Sequence, residues 1–285
     1  MLSNSPILWL VAMPLGNPGD LSPRAREALS RADAVLAEDT RRAGLVCRRC
    51  GIAVRRFVSL HEHNEEKRAP ELVARLRAGA CLALIADAGM PIVADPGYRL
   101  VRLCREAGIP VSVIPGPSAP VAALAGSGIA PLPFSFFGFL PRDASGRKRL
   151  FSVFAHCPGS LIFFERKDRL AASLADAYAL LGERELCIAR ELTKIHEEFI
   201  VTRLSNFQQA SAGLLGELTV VIGPALETRR NPEAEARAAL LEEQGRGGRP
   251  REVARRVQGR LHGWTCSELY ALLTRDDGGS RDRKR

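Results

Sequence analysis

The chain has 285 residues, of which 46% are hydrophobic and 26% charged, a balance that excludes a disordered or fibrous protein. The net charge of +9 suits an acidic partner such as RNA, although charge speaks to association and not to fold, and a general preference for Arg over Lys gives the same balance. The first apolar stretch, residues 7–12, is too short to span a bilayer or to form a full signal core, so a cytoplasmic protein with seven reduced Cys is expected and no membrane partner.

Residues 7–127 alternate strand and helix five times. Strand 7–12 runs into Met13-Pro-Leu-Gly-Asn-Pro-Gly-Asp20, and Ser22 can cap a helix whose first position is Pro23. Strand 34–37 ends in Glu38-Asp-Thr-Arg41. Strand 55–60 ends in His61-Glu-His-Asn-Glu65, and Leu72, Val73 and Leu76 mark one face of the helix after it. Strand 81–86 ends in Asp87-Ala-Gly-Met-Pro91, followed by Ala94-Asp-Pro-Gly97 and a helix carrying Leu100, Val101, Cys104 and Ala107. Strand 111–114 ends in Pro115-Gly-Pro-Ser118. These near-continuous apolar strands predict a parallel sheet covered on both faces.

The composition changes around 128–133, where a domain boundary is expected. Beyond it, strands 134–139 and 161–164 precede Glu165-Arg-Lys-Asp-Arg169, and Leu170, Leu174, Ala177, Tyr178 and Leu181 form a helical stripe. Strand 186–189 ends in Arg190-Glu-Leu-Thr-Lys194. Segments 199–202 and 218–222 are expected to pair as antiparallel strands. From Glu227 the chain reads as short helices with start signals at Asn231-Pro232 and at Pro250, and a turn at Gly263-Trp264. Arg249, Arg256 and Arg260 share one helical face, with Arg251 and Arg255 beside it, which suits phosphate contact. The expected layout is an N-terminal α/β domain (1–127), a second α/β domain (128–226), a small helical module (227–277) and a disordered tail (278–285).

Nearly all unusual residues sit in the turns after strands, and in open α/β sheets ligands bind outside those strand ends. That distribution points to an enzyme with one long cleft. The first loop is not GxGxxG, and no GxxxxGK occurs, so dinucleotide and P-loop readings lose support. A buried Asp at this strand end, Asp87 or Asp95, could accept a hydrogen bond from a ribose or an amine, with Gly89 and Gly97 removing a Cβ where a ligand would lie. Asp95 reads more readily as a cap for the helix at Tyr98. Small residues at Ala122, Ala123, Ala125 and Gly126 allow close helix–sheet packing. Cys47-Arg-Arg-Cys50 would need two more ligands to hold zinc, and the His61/His63 spacing is not that of a structural finger, so no metal is expected.

Taken in order, Met13-Pro-Leu-Gly-Asn, Ala37-Glu-Asp-Thr-Arg41, His61-Glu-His-Asn-Glu65, Asp87-Ala-Gly-Met-Pro91, Asp95-Pro-Gly-Tyr98, Pro115-Gly-Pro-Ser-Ala119, Gly138-Phe-Leu-Pro141 and Arg190-Glu-Leu-Thr-Lys194 resemble the ribosomal-RNA-methylating members of the tetrapyrrole methylase superfamily. The resemblance covers roughly residues 7–223. It implies two α/β domains of tetrapyrrole-methylase type with a cleft between them, plus a small helical C-terminal module. It also implies a homodimer, S-adenosyl-L-methionine as cofactor, and 2′-O-methylation of a cytidine in 16S rRNA of the 30S subunit.

Carried over by position, the cofactor would contact Pro14, Asp87, Gly89, Pro91, Ser118, Ala119, Leu192, Gly216 and Glu217. The RNA would face Arg41, His61, Asn64 and Lys194. Candidates for the base that takes the hydroxyl proton are Asp39, His63 and Glu191, unranked. Ala86, Met90 and the run Arg166-Lys-Asp168 depart from the pattern of the resembling proteins. Two other readings remain open: a methyltransferase acting on a precorrin-type tetrapyrrole, and a non-catalytic RNA-binding assembly factor.

Overall fold

The structure is a computed structural model that describes residues 7–225, 231–261 and 263–277; the tail expected to be disordered, 278–285, lies outside these. Contacts divide the chain into two units, residues 1–224 and 225–285.

The first unit carries two five-stranded sheets. The first sheet holds β1 (Ile7–Val11), β2 (Ala34–Ala37), β3 (Phe57–Ser59), β4 (Cys81–Leu84) and β5 (Val111–Ile114) in the order β3-β2-β4-β1-β5. All neighbours are parallel. β1 is buried at every position, as a central strand covered on both faces must be. Its two faces feed two apolar clusters. One, around Trp9 and Val11, is covered by α1 (Pro23–Arg31) and α2 (Thr40–Arg49). The other, around Leu8 and Leu10, is covered by α3 (Glu62–Arg77) and α4 (Tyr98–Glu106).

Local chemistry fixes where these helices begin. The Ser22 side chain accepts from Ala25 N at 3.1 Å, with Pro23 at the first helical position. Asp39 caps α2 by accepting from the Arg41 and Arg42 amides. The motif 61–65, expected as a turn, is instead the start of α3: His61 is the cap, its amide donates to Asn64 Oδ1 at 2.9 Å, and the helix continues through Pro70. Glu65 is buried and its Oε1 accepts from Arg99 N (2.8 Å) and Leu100 N (3.2 Å), so α4 is capped by Glu65 and not by Asp95.

After β5 comes α5 (Ala119–Ser127), which precedes the expected boundary at residue 128 yet packs on the second sheet. Its Ala123 and Leu124 share a buried cluster with Ile162, Cys187, Ala189 and Val221 of that sheet. Gly126 leaves room for the Phe199 ring, which a Cβ there would meet at 2.5 Å.

The second sheet comprises β6 (Phe134–Phe139), β7 (Ser160–Glu165), β8 (Glu185–Arg190), β9 (Glu198–Arg203) and β10 (Leu218–Ile222), in the order β6-β7-β10-β8-β9. Only β6 and β7 are parallel; β10 runs antiparallel to both β7 and β8, and β8 to β9. The pairing expected between 199–202 and 218–222 does not form, because β8 lies between them. Burial explains the order. β10 is buried throughout and apolar except for Thr219, which demands a central place, whereas β9 keeps exposed positions and takes the edge. The outer face is covered by α6 (Ala144–Val153), α7 (Lys167–Leu181) and the short α8 (Phe207–Ser211) around Phe151, Phe163 and Leu174.

The second unit holds α9 (Glu233–Gln244), α10 (Pro250–Gln258) and α11 (Cys266–Asp277) around Leu240, Val253, Val257, Trp264 and Leu269. The arginine face expected to meet phosphate is partly spent within this unit. Arg256 Nε lies 2.7 Å from Oε1 of the buried Glu243, and Arg260 binds both Glu242 (2.9 Å) and Glu243 (3.3 Å). Arg249, Arg251 and Arg255 remain exposed, with the Arg251 guanidinium 5.9 Å from the Tyr270 ring centre.

Among the described residues, no helix is long and apolar enough to cross a membrane, and no three His, Cys, Asp or Glu side chains are grouped to hold a metal. Cys47 and Cys50 are both buried in the core of the first sheet.

Candidate active site

The carboxyl ends of β1 and β4 are neighbours, so the loops that follow them meet. Met13 N donates to Gly89 O at 2.8 Å and Gly89 N to Met13 O at 3.0 Å, a two-bond bridge between the first loop and the Asp87 loop. Gly89 has φ 71°, and a Cβ there would press on Leu15. Asp87 Oδ2 is 3.1 Å from Arg42 Nη1 on α2, while its Oδ1 is buried with no partner. Further along, Ile92 (φ 77°) and Ala94 (φ 74°) adopt left-handed conformations that non-glycine residues, β-branched ones above all, rarely take. These two turns leave Asp95 facing the same space as Asp87.

The second sheet closes the other side. Leu192, just after β8, lies between Glu191 (φ 49°) and Thr193 (φ 64°). Glu191 N donates to Glu217 O (3.0 Å), and Glu217 N returns a bond to Glu191 Oε1 (2.8 Å). Lys194 Nζ sits between Glu191 Oε1 (2.9 Å) and Glu217 Oε2 (3.0 Å). Gly216 is the only residue type that fits beside Glu191, since a Cβ would run into its side chain, and it too has a positive φ of 95°. Asn17 N donates to Thr193 Oγ1 at 3.1 Å and ties the first loop to this cluster. At β6 the register with β7 breaks between Phe136 and Phe139 around Gly138 (φ 66°), and the Phe139 ring meets Phe164 at a tilt, 5.4 Å between centres, on the cavity wall.

The result is a cavity of about 650 Å³ between the two sheets, of a size that takes a small-molecule ligand. Of the residues expected at the cofactor, Asp87, Gly89, Ser118, Ala119, Leu192, Gly216 and Glu217 line it. Pro14 and Lys194 line a smaller hollow of about 160 Å³ that shares Asp87 and Leu15. Pro91 is buried and lines neither. Arg41, His61, His63, Asn64 and Asp39 also line neither. Asn64 is occupied as a helix cap; His61 has a buried Nδ1 without a partner, 6.1 Å ring to ring from the exposed His63.

The electrostatics separate the carboxylates. The Arg41 amide and guanidinium beside Asp39 hold its carboxyl below the usual range. The Glu217 amide, with Lys194 adding, holds Glu191 low as well. Burial works against the charge on Lys194, but its hydrogen bonds to Glu191 and Glu217 outweigh this and keep its pKa raised. Asp95 goes the other way: burial, with Glu38 and Asp87 nearby, pushes it up to about 6. Sequence reasoning missed Arg42, Phe139, Phe164 and the run Arg166, Lys167 and Asp168 as cavity residues, and favoured a capping role for Asp95 over a place in the cavity. The Asp39 cap could have found Arg42, because it fixes the phase of α2. Nothing in the sequence alone marks the strained backbone that aims Asp95.

A family model for the tetrapyrrole (corrin/porphyrin) methylases matches residues 8–208. A protein of Micromonospora olivasterospora named ribosomal RNA small subunit methyltransferase I is 40% identical over 280 residues, covering 96% of this chain and 89% of its own. A Mesorhizobium japonicum protein of the same name is 45% identical over 240 residues, covering 83% and 81%. Among solved structures, uroporphyrin-III C-methyltransferase from Thermus thermophilus in complex with S-adenosyl homocysteine superposes with a TM-score of 0.54 at 20% identity, covering 76% of this chain and 96% of that one; at this identity the likeness is one of fold. The chain belongs to the tetrapyrrole methylase family, in the group formed by the proteins named ribosomal RNA small subunit methyltransferase I.

Proposed function

We propose that this S-adenosylmethionine-dependent methyltransferase modifies the ribose 2′-hydroxyl of a cytidine in the 16S rRNA of the small ribosomal subunit. The observation that carries the reading is the 40% identity, over 96% of the chain, to a protein named for ribosomal RNA methylation. The solved tetrapyrrole enzymes resemble the chain only at the level of fold.

The cavity fits the cofactor on its own chemistry. Asp87 Oδ1 is a buried acceptor without a donor, suited to a ribose hydroxyl or an amine. Gly89 and Gly216 line the cavity without side chains, packed against Leu15 and Glu191. Leu15, Leu192, Phe139 and Phe164 supply the apolar walls that take a flat ring. Ser118 begins α5 without spending its side chain on the helix, which leaves its hydroxyl for a ligand. When bound, S-adenosylmethionine supplies a methyl carbon already activated by its sulfonium. The protein contributes placement: the loop bridge Met13–Gly89 and the Asn17–Thr193 bond hold the walls at fixed spacing, so a hydroxyl is presented in line.

RNA would be held at the exposed rim. Arg166 and Lys167 line the cavity from the second sheet and are exposed, and Arg41 projects from the start of α2 with its side chain 90% accessible. Such cations contact phosphates and set position without reading sequence. The reading carries with it a cytoplasmic location and the homodimer implied by the resemblance.

The test is transfer of labelled methyl from S-adenosylmethionine to 30S subunits that lack native 2′-O-methylcytidine, read by nucleoside mass spectrometry. Label in 2′-O-methylcytidine is the expected result. Cofactor binding in calorimetry with no label in RNA would overturn the reading and return attention to a tetrapyrrole acceptor.

A further inference from the structure

Five carboxylates line the cavity: Asp87, Asp95, Glu165, Asp168 and Glu217. Four are committed. Asp87 is paired with Arg42, Glu165 with Arg169 and Ser173, Asp168 with Arg166, and Glu217 with Lys194. Asp95 has neither an ion pair nor a side-chain hydrogen bond among the described residues, although it is partly buried. It is held in place by a loop with two non-glycine residues in left-handed backbone, Ile92 and Ala94. Strain of this kind persists only where surrounding structure enforces it, and it gathers at functional sites. Its neighbour in the cavity, Asp87, has a buried Oδ1 with no hydrogen-bond partner among the described residues.

We propose that Asp95 is the catalytic base that takes the proton from the substrate hydroxyl. This rests on the reading of the chain as a ribose 2′-O-methyltransferase. In the step, the hydroxyl oxygen forms a bond to the methyl carbon as the carbon–sulfur bond breaks. The sulfur keeps that electron pair and leaves as neutral S-adenosylhomocysteine. The O–H proton passes to the Asp95 carboxylate, which returns it to water after product release. Asp39 and Glu191 are weaker bases in this setting, since hydrogen bonds stabilise their anions. Asp95 is the reverse case, with its carboxyl raised to about 6 by burial first and then by Glu38 and Asp87. A base gains from a pKa brought nearer the working pH. The other charges on this space are Arg42, already bound to Asp87, and Glu165, Arg166, Lys167, Asp168 and Glu217 on the side of the second sheet.

The experiment compares the full chain with its Asp95→Asn variant on 30S subunits. Asparagine keeps the shape and cannot accept the proton. We expect kcat to fall about 100-fold, in the range typical of general-base removal. Cofactor affinity by calorimetry should stay within about threefold, because the effect is on chemistry and not on binding. In the parent chain kcat/KM should rise with pH and level off above about 6, and the variant should lack that rise.

A readout independent of turnover is thermal stability. A carboxyl raised by the fold contributes stability that is complete below its unfolded pKa and is lost as pH climbs through the folded value of about 6. The variant should therefore melt like the parent near pH ~4 and above it near pH ~8. Full activity in Asp95→Asn, lost cofactor binding, or a melting difference that does not grow with pH would each overturn the proposal. Methyl transfer by the parent chain to an acceptor other than RNA would instead overturn the functional reading beneath it.

Discussion

Asp87 gives its two oxygens different surroundings. One oxygen holds Arg42 and the other is buried without a donor, which is the basis of its proposed bond to the cofactor. A hydrogen bond to a charged group contributes about 1.5–3 kcal/mol, so Asp87→Ala should weaken S-adenosylmethionine binding by about 10- to 100-fold in calorimetry. Glu191 has a different task. It binds the Glu217 amide and Lys194 together, bracing the second-sheet wall. Its carboxyl is lowered by the fold, so its contribution is present above the ordinary value of 4.5 and is lost as pH falls through the lower folded value. Glu191→Gln should melt earlier than the parent at neutral pH, with the gap closing in acid. The sequence showed that Asp87 stands at a strand end and that Glu191 follows another. It could not rank the carboxylates, because the ranking depends on which amides point at each one.

At the scale of elements, the motif 61–65 shows how a polar run can hold structure together. Two of its members are helix caps: Asn64 for α3 and Glu65 for α4. Loss of an N-cap destabilises by about 0.5–2 kcal/mol, and Glu65→Ala also leaves two amides unpaired beside a buried site. That variant should melt several degrees lower while cofactor affinity stays unchanged. Strand positions were legible because each is an apolar run. Their order in the second sheet was not. The place of β10 between β7 and β8 rests on burial along its whole length, and a sequence reports apolarity without saying which neighbours cover it. The Tyr98 helix was legible as a helix, but its cap comes from Glu65, 34 residues before the amide it binds.

At the scale of the molecule, the unit 225–285 has only part of the arginine face of α10 unpaired among its described residues. Arg256 and Arg260 are tied to Glu242 and Glu243, whereas Arg249, Arg251 and Arg255 are exposed and are the proposed phosphate contacts. Replacing these three by Gln should weaken RNA binding and lower the slope of log affinity against log salt by about 2, if each meets one phosphate of a single strand. Unchanged slope in a titration over salt would exclude this face from RNA contact. The two-sheet architecture was legible from the spacing of strands; the membership of α5 was not, since its small residues suit either sheet. Its crossing has a practical consequence for cutting the protein in two. A split at residues 127/128 would strand α5 on the first fragment with Ala123 and Leu124 bare, and strip the cover from Cys187 and Val221 on the second. A split within Pro115–Pro117 would send the helix with the sheet it covers, so fragments made there should reassemble into an active enzyme when mixed, and fragments made at 127/128 should aggregate.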